Sequence, residues 1–214
     1  MSNAQAINDR SKKINKYIFP VVVAIVCVSL VILFKKKRVE NNTASNYVLP
    51  TYYRIPPFKL LSSDGTMLDS RDLKGKVYAV NFHFTSCQTI CYKVMDKSKK
   101  LQDRVLDHQT DLQILSITVD PEYDTPGILS KKASELGAKK GVWHFLTSDY
   151  DSIKNLLMNG FKMPIGKKMR NAEDVYDIAH SGKFILVDHN QKVRGFFENM
   201  DELYTSYLRI KTEL

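Results

Sequence analysis

The sequence predicts an α/β sandwich with mixed strand directions, fronted by a β-hairpin and preceded by one transmembrane helix. Three observations carry that prediction. From about Phe58 onward, strand-type and helix-type apolar patterns alternate along the chain. The last two strands are separated by a short turn, which makes them an antiparallel hairpin. Near the N-terminus, Tyr17–Phe34 is a run of eighteen residues without a charge.

Composition supports a folded chain. Of 214 residues, 43% are hydrophobic and 26% charged, which excludes disordered and collagenous classes. Three cysteines are too few for a disulfide-stapled scaffold or a four-cysteine zinc site. The net charge of +9 divides unevenly: residues 1–38 hold eight basic residues and one acid, and the remainder is close to balance. Nucleic-acid binding needs a basic stripe on the folded domain itself, so this excess, which flanks the apolar run, does not indicate it.

At ~1.5 Å per residue the apolar run spans about 27 Å, enough for a bilayer core. It ends directly in Lys35-Lys36-Lys37-Arg38 without a small-residue cleavage site, so an uncleaved anchor is expected rather than a signal peptide. A lipoprotein signal needs small residues before Cys27, where Ile25 and Val26 stand. Four basic residues lie on each side of the run, so the positive-inside rule gives no orientation. The expected layout is an N-terminal segment 1–16, an anchor 17–34, a tether 35–50 and a globular domain 51–214.

Within that domain, Phe58–Leu60, Asp64-Gly65 and Met67–Leu68 suggest the leading hairpin. Val77–Phe84 is rich in β-branched and aromatic residues and reads as a buried strand, followed by a helix to about Val105. Leu112–Val119 is a second strand, stopped by Asp120-Pro121. Thr125–Leu136 is a helix, opened by Thr-Pro and closed by Gly137. Val142–Leu146 is a strand, and Ser152–Met158 a helix ended by Gly160. Phe184–Val187 and Val193–Phe197 form the late hairpin, and Met200–Leu214 closes the chain as an amphipathic helix.

The first buried strand hands over to a helix whose mouth carries Cys87 and Cys91, which is the layout of the thioredoxin fold. On a regular helix, residues four apart have Cβ atoms ~5–6 Å apart, whereas a disulfide needs about 3.5–4.5 Å. Such a pair closes into a disulfide only if the first turn distorts, but two thiolates bracket a metal without that strain. A helix N-terminus favours the thiolate, and soft thiolates select Cu(I), zinc or iron–sulfur centres. With so few cysteines, iron–sulfur is disfavoured, and Cu(I) accepts a third donor.

Five histidines compete for that place. His108 and His189 are expected to be solvated, His144 to lie on a strand surface, and His83 to pack on or beside the sheet near Cys87. His180 precedes an apolar strand, and in a thioredoxin layout the loop entering that strand faces the cysteine helix. His180 therefore ranks first, with Asp177 as a candidate partner for its second ring nitrogen. Lys93, Lys97, Lys99 and Lys100 could meet an acidic partner, although a lysine-rich helix face is usually just solvated.

These residues together resemble the Sco/SenC family of copper-binding cytochrome c oxidase assembly factors. The likeness covers roughly Pro57 to Phe197, through GKVYAVNFHFTSCQTIC, SITVDPEYDTP, WHFLT and HSGKFILVD. It implies a thioredoxin-like domain binding copper, as Cu(I) or Cu(II), through Cys87, Cys91 and His180. It also implies help in building the binuclear copper site of oxidase subunit II, with a copper donor or thiol reductant as further partner. The same likeness resolves the orientation in favour of a periplasmic domain, and an N-terminal stretch of about sixteen residues, short for a mitochondrial transit peptide, makes a bacterial inner-membrane protein the expectation. The family usually has Pro after each cysteine; here Gln88 and Tyr92 stand there, which frees a backbone N–H in the turn.

Three function classes follow. The first is a copper metallochaperone without turnover. The second is a thiol–disulfide oxidoreductase in which Cys87 and Cys91 cycle through a redox-active disulfide. The third, a thiol peroxidase, wants Pro and Thr where Val80 and Phe84 stand, and is set aside.

Overall fold

The computed structural model describes residues 48–87, 90–166, 168–170, 176–178 and 181–213, with Val22, Ile25, Val26, Ser29 and Leu30 of the apolar run. Those five residues are helical, and the Ser29 hydroxyl donates to the Ile25 carbonyl at 2.8 Å. The rest of the predicted anchor lies outside the described residues, among which no helix is long and apolar enough to cross a membrane. Residues Leu49–Leu214 form one compact unit.

A seven-stranded mixed sheet organises that unit, in the order β2-β1-β5-β4-β3-β8-β9. Its strands are β1 (Lys59–Ser62), β2 (Met67–Asp69), β3 (Tyr78–His83), β4 (Gln113–Thr118), β5 (Trp143–Thr147), β8 (Phe184–Val187) and β9 (Val193–Phe197). β3, β4 and β5 run parallel, while β1 and β8 join them antiparallel on either side. The expected leading hairpin is present as β1–β2, and the late hairpin as β8–β9.

Side chains of β3 alternate between two cores, as the two-residue period of a strand requires. Tyr78, Val80 and Phe82 face one cluster, with Ile153, Leu157 and Phe161. Ala79 faces the other, with Val94, Leu101 and Val105 of helix α1 (Ile90–Asp107), Leu129 of helix α2 (Pro126–Leu136) and Leu203 and Tyr207 of helix α4 (Met200–Thr212). A sheet covered on both faces explains why β3 and β4 read as continuous apolar runs.

The helix punctuation read from sequence is realised in α2. The Thr125 side chain caps it by accepting from the Ile128 N–H, Pro126 opens the first turn, and Gly137 closes it in the left-handed region at φ 69°. The expected helix Ser152–Met158 differs. Asp149 caps helix α3 (Tyr150–Asn155) two residues earlier than expected, and Leu156–Gly160 continues as a wide turn. A two-stranded sheet of β6 (Lys168–Arg170) and β7 (Tyr176–Ile178) was not anticipated. Its segments carry Lys, Arg and Asp and give no clean apolar alternation.

Inside the second core a chain of polar side chains links α1 to three strands. The Trp143 indole N–H donates to Ser116 Oγ at 2.8 Å, and the Ser116 hydroxyl donates to Asn81 Oδ1 at 3.0 Å. The Asn81 amide donates to Ser98 Oγ at 3.1 Å, and the Ser98 hydroxyl to the Val94 carbonyl at 2.9 Å. Such a network admits one placement of α1 over the sheet, because any slide strands a buried polar group. It thereby helps set where the cysteine-bearing end of α1 stands.

His144 on β5 is half-buried rather than a plain surface residue. It lines a cleft of about 370 Å³ under the β1–β2 hairpin, and its Nε2 is shut from water without a partner among the described residues. Burial holds its imidazole below the usual histidine range, with the opposing pull of Asp64 smaller and Lys76 reinforcing the shift. The unfolded chain therefore binds a proton that the folded chain refuses as pH falls below about 6.5, so stability is full above that pH and lost below it. Urea midpoints measured between about pH 7 and 5 should fall with acid, and His144→Gln should flatten that slope.

Candidate metal centre

Cys87 stands at the junction where β3 gives way to α1. After His83 the chain leaves the sheet, turns through Thr85 and Ser86, and closes with the Cys87 N–H on the Phe84 carbonyl at 3.3 Å. Cys87 is half-buried and packs against the core face that holds Phe82 and Phe84. Residues 88 and 89 lie outside the described residues, and so does the side chain of Cys91, whose backbone belongs to α1. Cys87 lies at the mouth of α1, where the sequence reading put it, with the backbone of Cys91 in the first turn. Cys87 precedes the first described residue of α1, Ile90, so a regular i, i+4 helix separation does not describe the pair.

A cavity of about 180 Å³ opens beside this junction, lined among others by His83, Cys87, Tyr92, Met95 and Lys132. Tyr92, in the place of the second family proline, is 77% exposed at its rim. His83 is buried in β3 with its ring edge-to-face on Phe145 at 5.4 Å, so it packs within the sheet layer as expected.

The remaining histidines divide clearly. His108 is exposed and its ring lies 5.7 Å from that of Tyr204. His189, expected to be solvated, is half-buried in the β8–β9 turn, where Nε2 meets Asn190 Nδ2 at 2.7 Å. His180 lies outside the described residues, as does the side chain of Asp177, whose backbone belongs to β7. Among the described residues no group of three or more His, Cys, Asp or Glu side chains could hold a metal ion.

Register does describe where the chain enters β8. Tyr78, Ala79 and Val80 pair with Val187, Leu186 and Ile185, so β8 begins beside the end of β3 from which the cysteine turn departs. On the other flank of β3, His83 pairs with Thr118 at the end of β4, and the Val119 N–H donates to the His83 carbonyl at 2.8 Å.

From β4 the chain runs into Asp120-Pro121, and Asp124 reaches back over both strand ends. Its carboxylate is fully buried, accepting from the Thr118 hydroxyl at 2.5 Å, the Thr85 N–H at 3.0 Å and the Thr85 hydroxyl. Burial pushes the Asp124 carboxyl above the usual carboxylate range, and the hydrogen bonds from Thr118 and Thr85 oppose that shift. Sequence reasoning assigned no role to this aspartate. The available signal was an acid directly before a Thr-Pro helix start, one strand away from the cysteines.

On α1, Lys93, Lys99 and Lys100 are exposed, and Lys100 pairs with Asp96 one turn away at 2.7 Å. That is the solvated pattern expected of such a face.

Comparison with known proteins assigns the chain. Residues 50–214 match the family model SCO1/SenC. The chain belongs to the SCO1/SenC family. A SCO1 protein homolog of Bacillus subtilis is 33% identical over 145 residues, which cover 67% of this chain and 73% of that protein. A protein of Stutzerimonas stutzeri, named as a candidate copper-binding protein, is 25% identical over 175 residues, covering 81% and 83% of the two chains. The solved structure of BsSco superposes with a TM-score of 0.65 at 28% identity, covering 75% of this chain and 94% of that one. BsSco is described there as a Sco-family cytochrome c oxidase assembly protein with a disulfide switch. The thioredoxin-like sandwich expected from sequence is thus the fold of this SCO1/SenC chain.

Proposed function

We propose that this protein is a membrane-anchored copper carrier that holds one copper ion through Cys87, Cys91 and His180 and serves assembly of the binuclear copper site in cytochrome c oxidase subunit II. Copper is the cargo. The observation that carries the reading is a half-buried cysteine on the turn between β3 and α1, with the second cysteine in the first turn of that helix. The first-turn N–H groups of an α-helix stabilise thiolate over thiol, and two thiolates with one imidazole suit a soft monovalent ion. Entry of β8 beside the same end of β3 supports recruitment of the loop that precedes it. Family membership, the copper-binding name of the Stutzerimonas stutzeri protein and the oxidase-assembly role given for BsSco support the choice of copper and of oxidase assembly. In the same reading Tyr17–Phe34 anchors the chain in the inner membrane and the compact unit faces the periplasm.

A second reading keeps the dithiol and changes the cargo to electrons. It is favoured by the likeness to BsSco, described as carrying a disulfide switch, and both roles can share one pair because only the reduced form binds copper.

The test uses a reduced fragment from Ser45 onward. Copper titration is expected to give one ion per chain, and the Cu(II) form a sulfur-to-copper charge-transfer band. Cys87→Ala and His180→Ala should each abolish stoichiometric binding. Unchanged binding in His180→Ala removes that residue from the site. A strongly reducing dithiol couple with feeble copper binding favours the electron-carrying reading.

A further inference from the structure

We propose that Asp124 is a positioning residue for the cysteine pair, fixing the turn that presents Cys87 by clamping Thr85 to the opposite strand end. The proposal rests on the reading of Cys87 and Cys91 as the working dithiol, and it adds a residue that touches neither sulfur.

The clamp is a built arrangement of named contacts. Thr85, two residues before Cys87, is the first turn residue after the chain leaves the sheet, and it gives both its N–H and its hydroxyl to the Asp124 carboxylate. The other hydroxyl on that carboxylate belongs to Thr118, which ends β4 opposite His83 and whose Oγ also accepts the Asp120 N–H at 3.0 Å. Asp124 is itself held from behind. Its N–H donates to the Asp120 carbonyl at 2.8 Å, and the next residue, Thr125, caps α2. The carboxylate therefore reaches Thr85 from an eleven-residue helix and a strand end, both anchored in the core.

The physical consequence lies in ordering. A turn free to wander must be ordered each time Cys87 engages a metal or its partner sulfur, and that cost lowers the affinity of either event. With Thr85 fixed, Cys87 is presented ready for use. Residues that orient ligands in this indirect way typically contribute about 10–100-fold to metal affinity.

The experiment uses the full-length chain in detergent and two probes, Cu(I) under a competing chelator and a glutathione redox buffer. In the buffer, the protein dithiol and oxidised glutathione exchange for an intramolecular disulfide and two glutathione thiols. Asp124→Asn replaces one acceptor oxygen by a donor, so one of the Thr85 or Thr118 bonds is lost. We expect Cu(I) affinity to fall about 10–100-fold. The exchange constant toward the disulfide should fall about tenfold, a rise of about 30 mV in potential. Thr85→Val removes only the hydroxyl and should move both readouts in the same direction, while Thr85→Ser should restore wild-type values. A purely structural role would lower the urea midpoint of Asp124→Asn and leave both readouts at wild type in the folded protein, and that result overturns the proposal. Should Asp124→Asn fail to fold, the Thr85→Val and Thr85→Ser pair decides, since equal values in both overturn it as well. If the wild type binds no copper, the copper reading fails while the glutathione equilibrium still judges the clamp.

Discussion

Replacing Arg194 by leucine is expected to destabilise the compact unit by about 3–5 kcal/mol, the usual cost of removing one partner from a buried ion pair. Arg194 projects from β9 with its side chain only 5% exposed. All five of its N–H donors are used. Nε donates to the Pro50 carbonyl at 3.0 Å and Nη2 to the Leu49 carbonyl at 3.0 Å. Nη1 reaches Asp188 at 3.3 Å and Glu213 at 2.7 Å, and Nη2 reaches the second Glu213 oxygen at 3.0 Å. One guanidinium thus ties the start of the compact unit, the β8–β9 turn and the end of α4 together. Leucine leaves Asp188 buried without its counter-charge and two carbonyls without donors. Lysine, with three donors on one nitrogen, should recover part of the loss and no more. Urea unfolding followed by circular dichroism measures both variants, and early proteolysis near Leu49 should accompany the leucine variant. A midpoint shift within error would refute this account of the junction.

Ser116→Ala is expected to cost roughly 2–6 kcal/mol, although it removes one oxygen atom, because it leaves two buried groups unpaired at about 1–3 kcal/mol each. The Trp143 indole N–H loses its acceptor and Asn81 Oδ1 loses its donor, both in the second core. The loss propagates to α1 through the Asn81–Ser98 bond, so tryptophan fluorescence should change along with stability. Trp143→Phe in the Ser116→Ala background removes the orphaned indole and should return part of the stability. Additive losses in the double variant would mean that the two residues do not share one network.

Much of the fold is legible because it depends on neighbours in sequence. The continuous apolar, β-branched-rich runs of Val77–Phe84 and Leu112–Val119 mark buried strands. Thr125, Pro126 and Gly137 mark the ends of α2 by local backbone chemistry alone. The candidate site is legible for a related reason, since two cysteines four apart after a buried strand form a local motif. Where local signals compete the boundaries slip, as at Asp149, whose side chain caps a helix that periodicity starts later.

What the sequence by itself determined here is the set of parts: short strands and helices with their caps, the leading and closing hairpins, and the cysteine motif with the family it belongs to. Only the tertiary structure decided which polar residues become partners. Asp124 meets Thr85 across 39 positions, Trp143 meets Ser116 across 27, and Arg194 meets Leu49 across 145. These meetings follow from sheet order and from the crossing of helices over strands, which no local pattern encodes. In each, a buried polar group takes the partner that the fold brings near, because leaving it unpaired costs more than any local preference can return.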